Sequence, residues 1–255
     1  MKNKESSEQE IRASHTKSAI KQRIQKGTVH SYLKDFIYGS IDGIVTTFAI
    51  VAGSVGAKFS SEVIVILGVA NLVADGFSMA VSNFLGTQAE EEIKKRTEKE
   101  ERLHIKLVPE GEREEIRQIF KNKGIHGDDL EKIVEVITSN EDLWVKTMLQ
   151  EERGVSTLIV SPHKAALFTF IAFILIGFFP LSIYLLQMYV GYEFTSPFLW
   201  SSIITALAFF TVGSIKSVYV EKSWFRCGIE TVIVGGGAAF LAYAIGMALK
   251  QTVPF

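Results

Sequence analysis

Five apolar runs, separated by short polar links and one long charged insert, constrain this chain more than any other feature. They fall at residues 35–57, 63 to about 88, 165 to about 189, 197 to about 220, and 229–249. About 20 helical residues cross roughly 30 Å of hydrocarbon, so each run is long enough to span a bilayer. A helix also satisfies its own backbone hydrogen bonds, which lipid cannot do. The expected fold class is all-α: a polytopic membrane protein with five transmembrane helices and a cytoplasmic helical domain inserted between helices 2 and 3.

The charges sharpen this reading. Although 47% of the residues are hydrophobic, the charged ones crowd into the segments between runs. Net charge is −1, so nothing favours a nucleic-acid partner. The single cysteine, Cys227, excludes an intramolecular disulfide and any cysteine-rich zinc or iron-sulfur site. Residues 1–34 are polar, carry eight Lys or Arg and lack the apolar core of a cleavable signal, so they read as a mobile cytoplasmic tail. Lys and Arg number eight in that tail, fourteen between the second and third runs and three between the fourth and fifth. The intervening links and the C-terminus carry only Lys58 and Lys250. Positive charge stays on the cytoplasmic side of membranes, which puts the N-terminus and the insert inside and the C-terminus outside.

Within the second run, Asn71, Asp75, Met79 and Asn83 recur every fourth residue and form one helical stripe. Ala70, Ala74, Ser78, Ser82 and Gly86 form a second stripe of small residues that would let another helix approach closely. The first run carries Asp42 beside Gly39 and Gly43, a GxxxG pair. A carboxylate at the bilayer centre costs about 2.5–3.5 kcal/mol even on lenient scales, so Asp42 and Asp75 point to function, here a cation path. Neutral packing carboxyls are the ordinary alternative, and Asn71 and Asn83 also suit interhelical hydrogen bonding. The link around residues 58–62 makes the first two helices antiparallel neighbours. Pro180 should kink the third run, and Gly235, Gly236 and Gly237 mark the fifth as closely packed.

Residues 89–161 read as helices: one continuing from the second run, one after Pro109 ending at Gly124, one over 128–138, and one capped by Asn140. Here Glu98 with Glu101, Glu101 with His104, and Glu112 with Glu115 are three apart, and Met148 with Glu152 four apart. Such spacings bring side-chain tips together, and pairing like charges favours an arriving cation. Carboxylates alone suit Ca²⁺, Mg²⁺ or Mn²⁺, whereas imidazole and thioether shift preference toward Fe²⁺. A solvated charged face is the ordinary reading of Glu98 and Glu101, a surface histidine that of His104, and core packing beside Leu143 and Trp144 explains Met148 as well as ligation does.

The segments DFIYGSIDGIVTTFAIVAG, ANLVADGFSMAVSNFLGTQAEEE and WVKTMLQEERG together resemble the vacuolar iron transporter family in its prokaryotic form, from about residue 35 onward. The resemblance implies a homodimer with a pore between the first two helices of each subunit. It further implies export of Fe²⁺, often Mn²⁺ too, against protons, with the helical insert collecting metal first. Carried over by position, Asp42 and Met79 belong to the pore, and Glu101, Glu112, Glu115, Met148 and Glu152 to the insert's ligands. The chain departs from the family where Asn71 replaces a glutamate, with Asp75 added one turn on. His104 likewise stands at a glutamate position and Leu149 at a methionine, for which Glu98 or Glu151 substitutes.

The expected organisation is a tail over 1–34, helices 1 and 2 over 35–88, a cytoplasmic metal-binding domain over 89–161, and helices 3 to 5 over 162–255. The expected function is proton-coupled export of Fe²⁺ or Mn²⁺ across a prokaryotic cell membrane, with no prosthetic group and no enzymatic activity. Pore residues are Asp42, Asp75, Met79 and Asn71. Metal ligands are drawn from Glu98, Glu101, His104, Glu112, Glu115, Met148, Glu151 and Glu152. The rival is a membrane-tethered metal buffer or sensor without transport. An intramembrane enzyme is disfavoured, because no HExxH, Ser–Lys pair or phosphate-binding glycine loop occurs.

Overall fold

Helix formation follows the apolar pattern in the computed structural model, which describes residues 11–26, 31–156, 158, 160–192, 194–220 and 222–252. Residues 1–10 and 27–30 of the expected tail lie outside them. In chain order the helices are α1 (Lys17–Lys26), α2 (Leu33–Gly56), α3 (Ser61–Leu107), α4 (Pro109–Asn122), α5 (Gly127–Thr138), α6 (Glu141–Glu151), α7 (Pro162–Gly177), α8 (Phe179–Val190), α9 (Pro197–Lys216) and α10 (Trp224–Thr252). No strand occurs among the described residues. The tail thus holds a helix that its polarity did not predict, with Thr16 Oγ1 accepting the Ala19 N–H at 3.4 Å at its start.

The chain divides into two units, residues 1–31 with 91–160 and residues 32–90 with 161–255. The first has its own core of Ile105, Ile116, Leu130, Val134, Ile137, Trp144, Val145, Met148 and Leu149. Ile105 comes from the end of α3 and the others from the apolar faces of α4, α5 and α6, as helical periodicity requires. Asn140 caps α6, its side chain accepting the Leu143 N–H at 3.0 Å. Gly124 and Gly154, with φ of 87° and 61°, follow the ends of α4 and α6, where left-handed backbone stops a helix.

The second unit is membrane-like. Four helices (α2, α3, α9 and α10) are long and apolar enough to cross a bilayer, and α7 with α8 makes a fifth span if counted together. These two meet at 53°, with Pro180 in the first turn of α8, so the expected kink is a full break in the helix.

Helix α2 is the centre of this unit, and glycines set its neighbours. A Cβ on Gly39 would lie 2.3 Å from the carbonyl oxygen of Thr169, and one on Gly43 2.5 Å from that of Phe173. Both belong to α7. On α10, a Cβ at Gly246 would fall 2.0 Å from the Gly53 carbonyl oxygen. The GxxxG pair therefore does bring a helix close, but the helix is α7 rather than α3, although a short link joins α2 to α3. Link length fixes which helices follow one another, not which backbones touch.

Helix α3 meets the unit through side chains: the Leu72 methyl group against Gly177, and the Phe173 ring against Gly76. Ala70, Ala74, Ser78, Ser82 and Gly86, the small stripe, are all exposed. Of the triple glycine on α10 only Gly235 is tightly packed, against the Phe209 ring; a Cβ on Gly236 or Gly237 would meet nothing within 4 Å. That corrects the expectation for the triple glycine: Gly236 borders an apolar cleft of about 400 Å³ lined by Phe48, Phe198 and Tyr243.

Candidate functional site

Two sets of polar side chains stand out, one in each unit. In the first unit, Glu101 and His104 are one helical turn apart near the end of α3. Pro109 disfavours helical backbone at the residue before it, and Val108 has left the helix at φ −136° and ψ 53°. The break starts a new helix whose first turn carries Glu112 back to α3. Donor atoms of Glu101, His104 and Glu112 all lie within 4.8 Å of one another, and Nδ1 of His104 is 3.5 Å from Oε1 of Glu112.

Burial makes the cluster unusual. Glu101 is 0% and Glu112 5% exposed, and one oxygen of each, Oε2, is buried without a hydrogen-bond partner. Buried acceptors normally find donors, and each one left unsatisfied costs about 1–3 kcal/mol or more when charged. Burial, joined by the charges of Glu115 and Glu101, pushes the Glu112 carboxyl up to about 7. Burial also raises Glu152, against the Arg153 guanidinium and with the charges of Glu101 and Glu115. Two carboxylates and an imidazole, with two further acids in range, form a donor set suited to a first-row divalent ion.

The remaining residues expected as ligands are distributed around this cluster. Met148 is wholly buried in the core of the unit. Glu98 pairs with Arg102 at 3.0 Å, and Glu151 pairs with Lys123. The residue that composition passed over is Arg153, whose Nε and Nη2 both donate to Oε1 of Glu101 at 2.9 Å. Its adjacency to Glu152 was the available signal.

In the second unit, Asn71, Asp75, Met79 and Asn83 are all half-buried, unlike the exposed small stripe beside them. Asp42 of α2 and Asp75 of α3 are close enough for their charges to interact, and Nδ2 of Asn71 is buried without a hydrogen-bond partner. Asn83 is committed elsewhere: its amide donates to Asp35 Oδ1 at 2.9 Å and to Thr169 Oγ1 at 2.7 Å. Asp35 opens the first apolar run and lies seven residues before Asp42, two helical turns along the same face.

Residues 33–247 match the family model described as the VIT family. Over 230 residues the chain is 32% identical to a vacuolar iron transporter of Plasmodium falciparum (isolate 3D7), covering 87% of this chain and 83% of that protein. It is 29% identical over 225 residues to vacuolar iron transporter 1 of Arabidopsis thaliana, with 88% of each covered. With vacuolar iron transporter 1 of Eucalyptus grandis it shares 26% identity over 225 residues, covering 88% of this chain and 89% of that protein.

Proposed function

The chain belongs to the VIT family, and from that premise we propose that it moves Fe²⁺, and Mn²⁺ as a second cargo, out of the cytoplasm in exchange for protons. That it is a membrane transporter of metal ions and not an enzyme follows from the family itself. The observation that carries the finer reading is a pair of carboxylates, Asp42 and Asp75, on two apolar helices and near enough for their charges to interact. Intramembrane carboxylates within electrostatic reach of each other mark ion and proton paths, because neither has a lipid-facing reason to be there. A divalent ion entering between them displaces their protons, and its release on the far side lets them protonate again. Met79, on the same stripe, supplies a soft donor, and Asn71 a carbonyl oxygen.

One protomer offers few donors for an ion that prefers about six. A homodimer with its axis along the pore doubles the set. The exposed stripe from Ala70 to Gly86 supports this, since small residues let two membrane helices approach. In the insert, Glu101, His104 and Glu112 capture the ion at the start, with Glu115 and Glu152 adding negative charge. The N-terminus and the insert lie in the cytoplasm and the C-terminus outside, following the Lys and Arg distribution.

The test is metal flux into proteoliposomes under an imposed pH gradient. We expect Fe²⁺ uptake that drives proton counterflow and is lost in Asp42→Asn. Metal binding without flux in the wild-type protein leaves the tethered buffer as the correct reading.

A further inference from the structure

We infer that Arg153 is a resident counter-cation of the insert's metal cluster, competing with the ion for Glu101 and so keeping capture weak enough for release. The inference rests on the cluster being the capture site. Both Nε and Nη2 of Arg153 reach the same oxygen of Glu101 at 2.9 Å, and Nε lies 3.3 Å from Oε1 of Glu152. Glu101 is fully buried, and a buried carboxylate left without a cation is costly. Arg153 is the cation that the chain itself supplies to Glu101.

Three features suit it to leave when an ion arrives. Its side chain is 39% exposed, so the guanidinium can swing into water with little desolvation to reverse. It lies past the end of α6, next to Gly154 with φ 61°, so its movement breaks no helix. Its charge also opposes that of the ion inside one cluster, where two cations close together repel. Metal binding therefore exchanges one cation for another at Glu101, and the returning guanidinium helps expel the ion.

The experiment is Mn²⁺ binding to the full-length protein in detergent by titration calorimetry, for wild type, R153Q, R153K and E112Q. R153Q should bind Mn²⁺ about three- to tenfold more tightly, in proportion to the partly solvent-screened pair removed. R153K keeps the charge and should stay nearer wild type, while the thermal midpoint of metal-free R153Q falls. Unchanged or weaker affinity in R153Q overturns the inference, and so does an R153K affinity that moves as far as that of R153Q. E112Q separates the two ideas: if it leaves Mn²⁺ binding intact, the capture site itself has been misassigned. If E112Q abolishes binding and R153Q does not tighten it, only the role of Arg153 fails.

Discussion

Nδ1 of His104 faces Oε1 of Glu112 at 3.5 Å across the break between α3 and α4. A metal held there must displace the proton that Glu112 retains up to about pH 7. Affinity for Mn²⁺ should therefore fall as pH drops below about 7, and titrations at about pH 6 and about pH 8 will show it. Glu112→Gln should cut affinity by at least about tenfold and flatten the pH dependence, as loss of a ligand requires.

The same carboxyl makes the metal-free protein respond to pH in the opposite sense. Its value rises from 4.5 to about 7 on folding, so the folded state binds the proton more tightly than the unfolded state does. This contribution to stability is fully present below about 4.5 and is lost as pH rises through about 7. Thermal unfolding of the metal-free chain should shift downward between about pH 6 and about pH 8, and less so in Glu112→Gln.

Gly39 and Gly43 are predicted to tolerate no side chain. Alanine at either meets a backbone carbonyl of α7 rather than a yielding side chain, which costs about 1–3 kcal/mol through forced backbone shifts. Gly236→Ala, with nothing within 4 Å, is the control and should unfold like wild type. Thermal unfolding in detergent measures all three.

Bulk on the exposed stripe should separate folding from assembly. Ser78→Trp adds a ring on the exposed side of α3, so the protomer should fold normally while self-association, read by crosslinking in liposomes, is lost. Retained crosslinking would remove the stripe from the dimer interface.

Met79→Ala and Asp42→Asn are each expected to abolish metal flux with unchanged thermal stability. Flux at the wild-type rate in both would leave α2 and α3 without a cation path.

The helices were legible because 3.6-residue periodicity and apolar length survive in any context, and Asn140, Gly124 and Pro180 announce their effects locally. Glu101 and His104 were legible together because one turn of helix separates them. Their meeting with Glu112 depends on where the chain turns at Val108, which spacing alone does not give. GxxxG in α2 declares a close contact but carries no label for its partner, and α7 lies more than a hundred residues away in sequence. Asp35 and Arg153 escaped notice for a related reason. A charged residue at the edge of a run or beside other charges looks solvated until its long-range partner is known.

Backbone contacts at Gly39, Gly43 and Gly53 fasten α2 to α7 and α10 at once, whereas α3 meets α7 through side chains, its Leu72 and Asn83 and the Phe173 ring of α7. Sliding α2 means shearing carbonyls past alpha carbons at several levels together; sliding α3 means a few rotamer flips and the loss of the Asn83 amide's bonds to Asp35 and Thr169. If the proposed exchange of metal for protons moves one helix of this pair, the helix that shifts is α3, carrying Asp75, and the one that stays is α2, carrying Asp42.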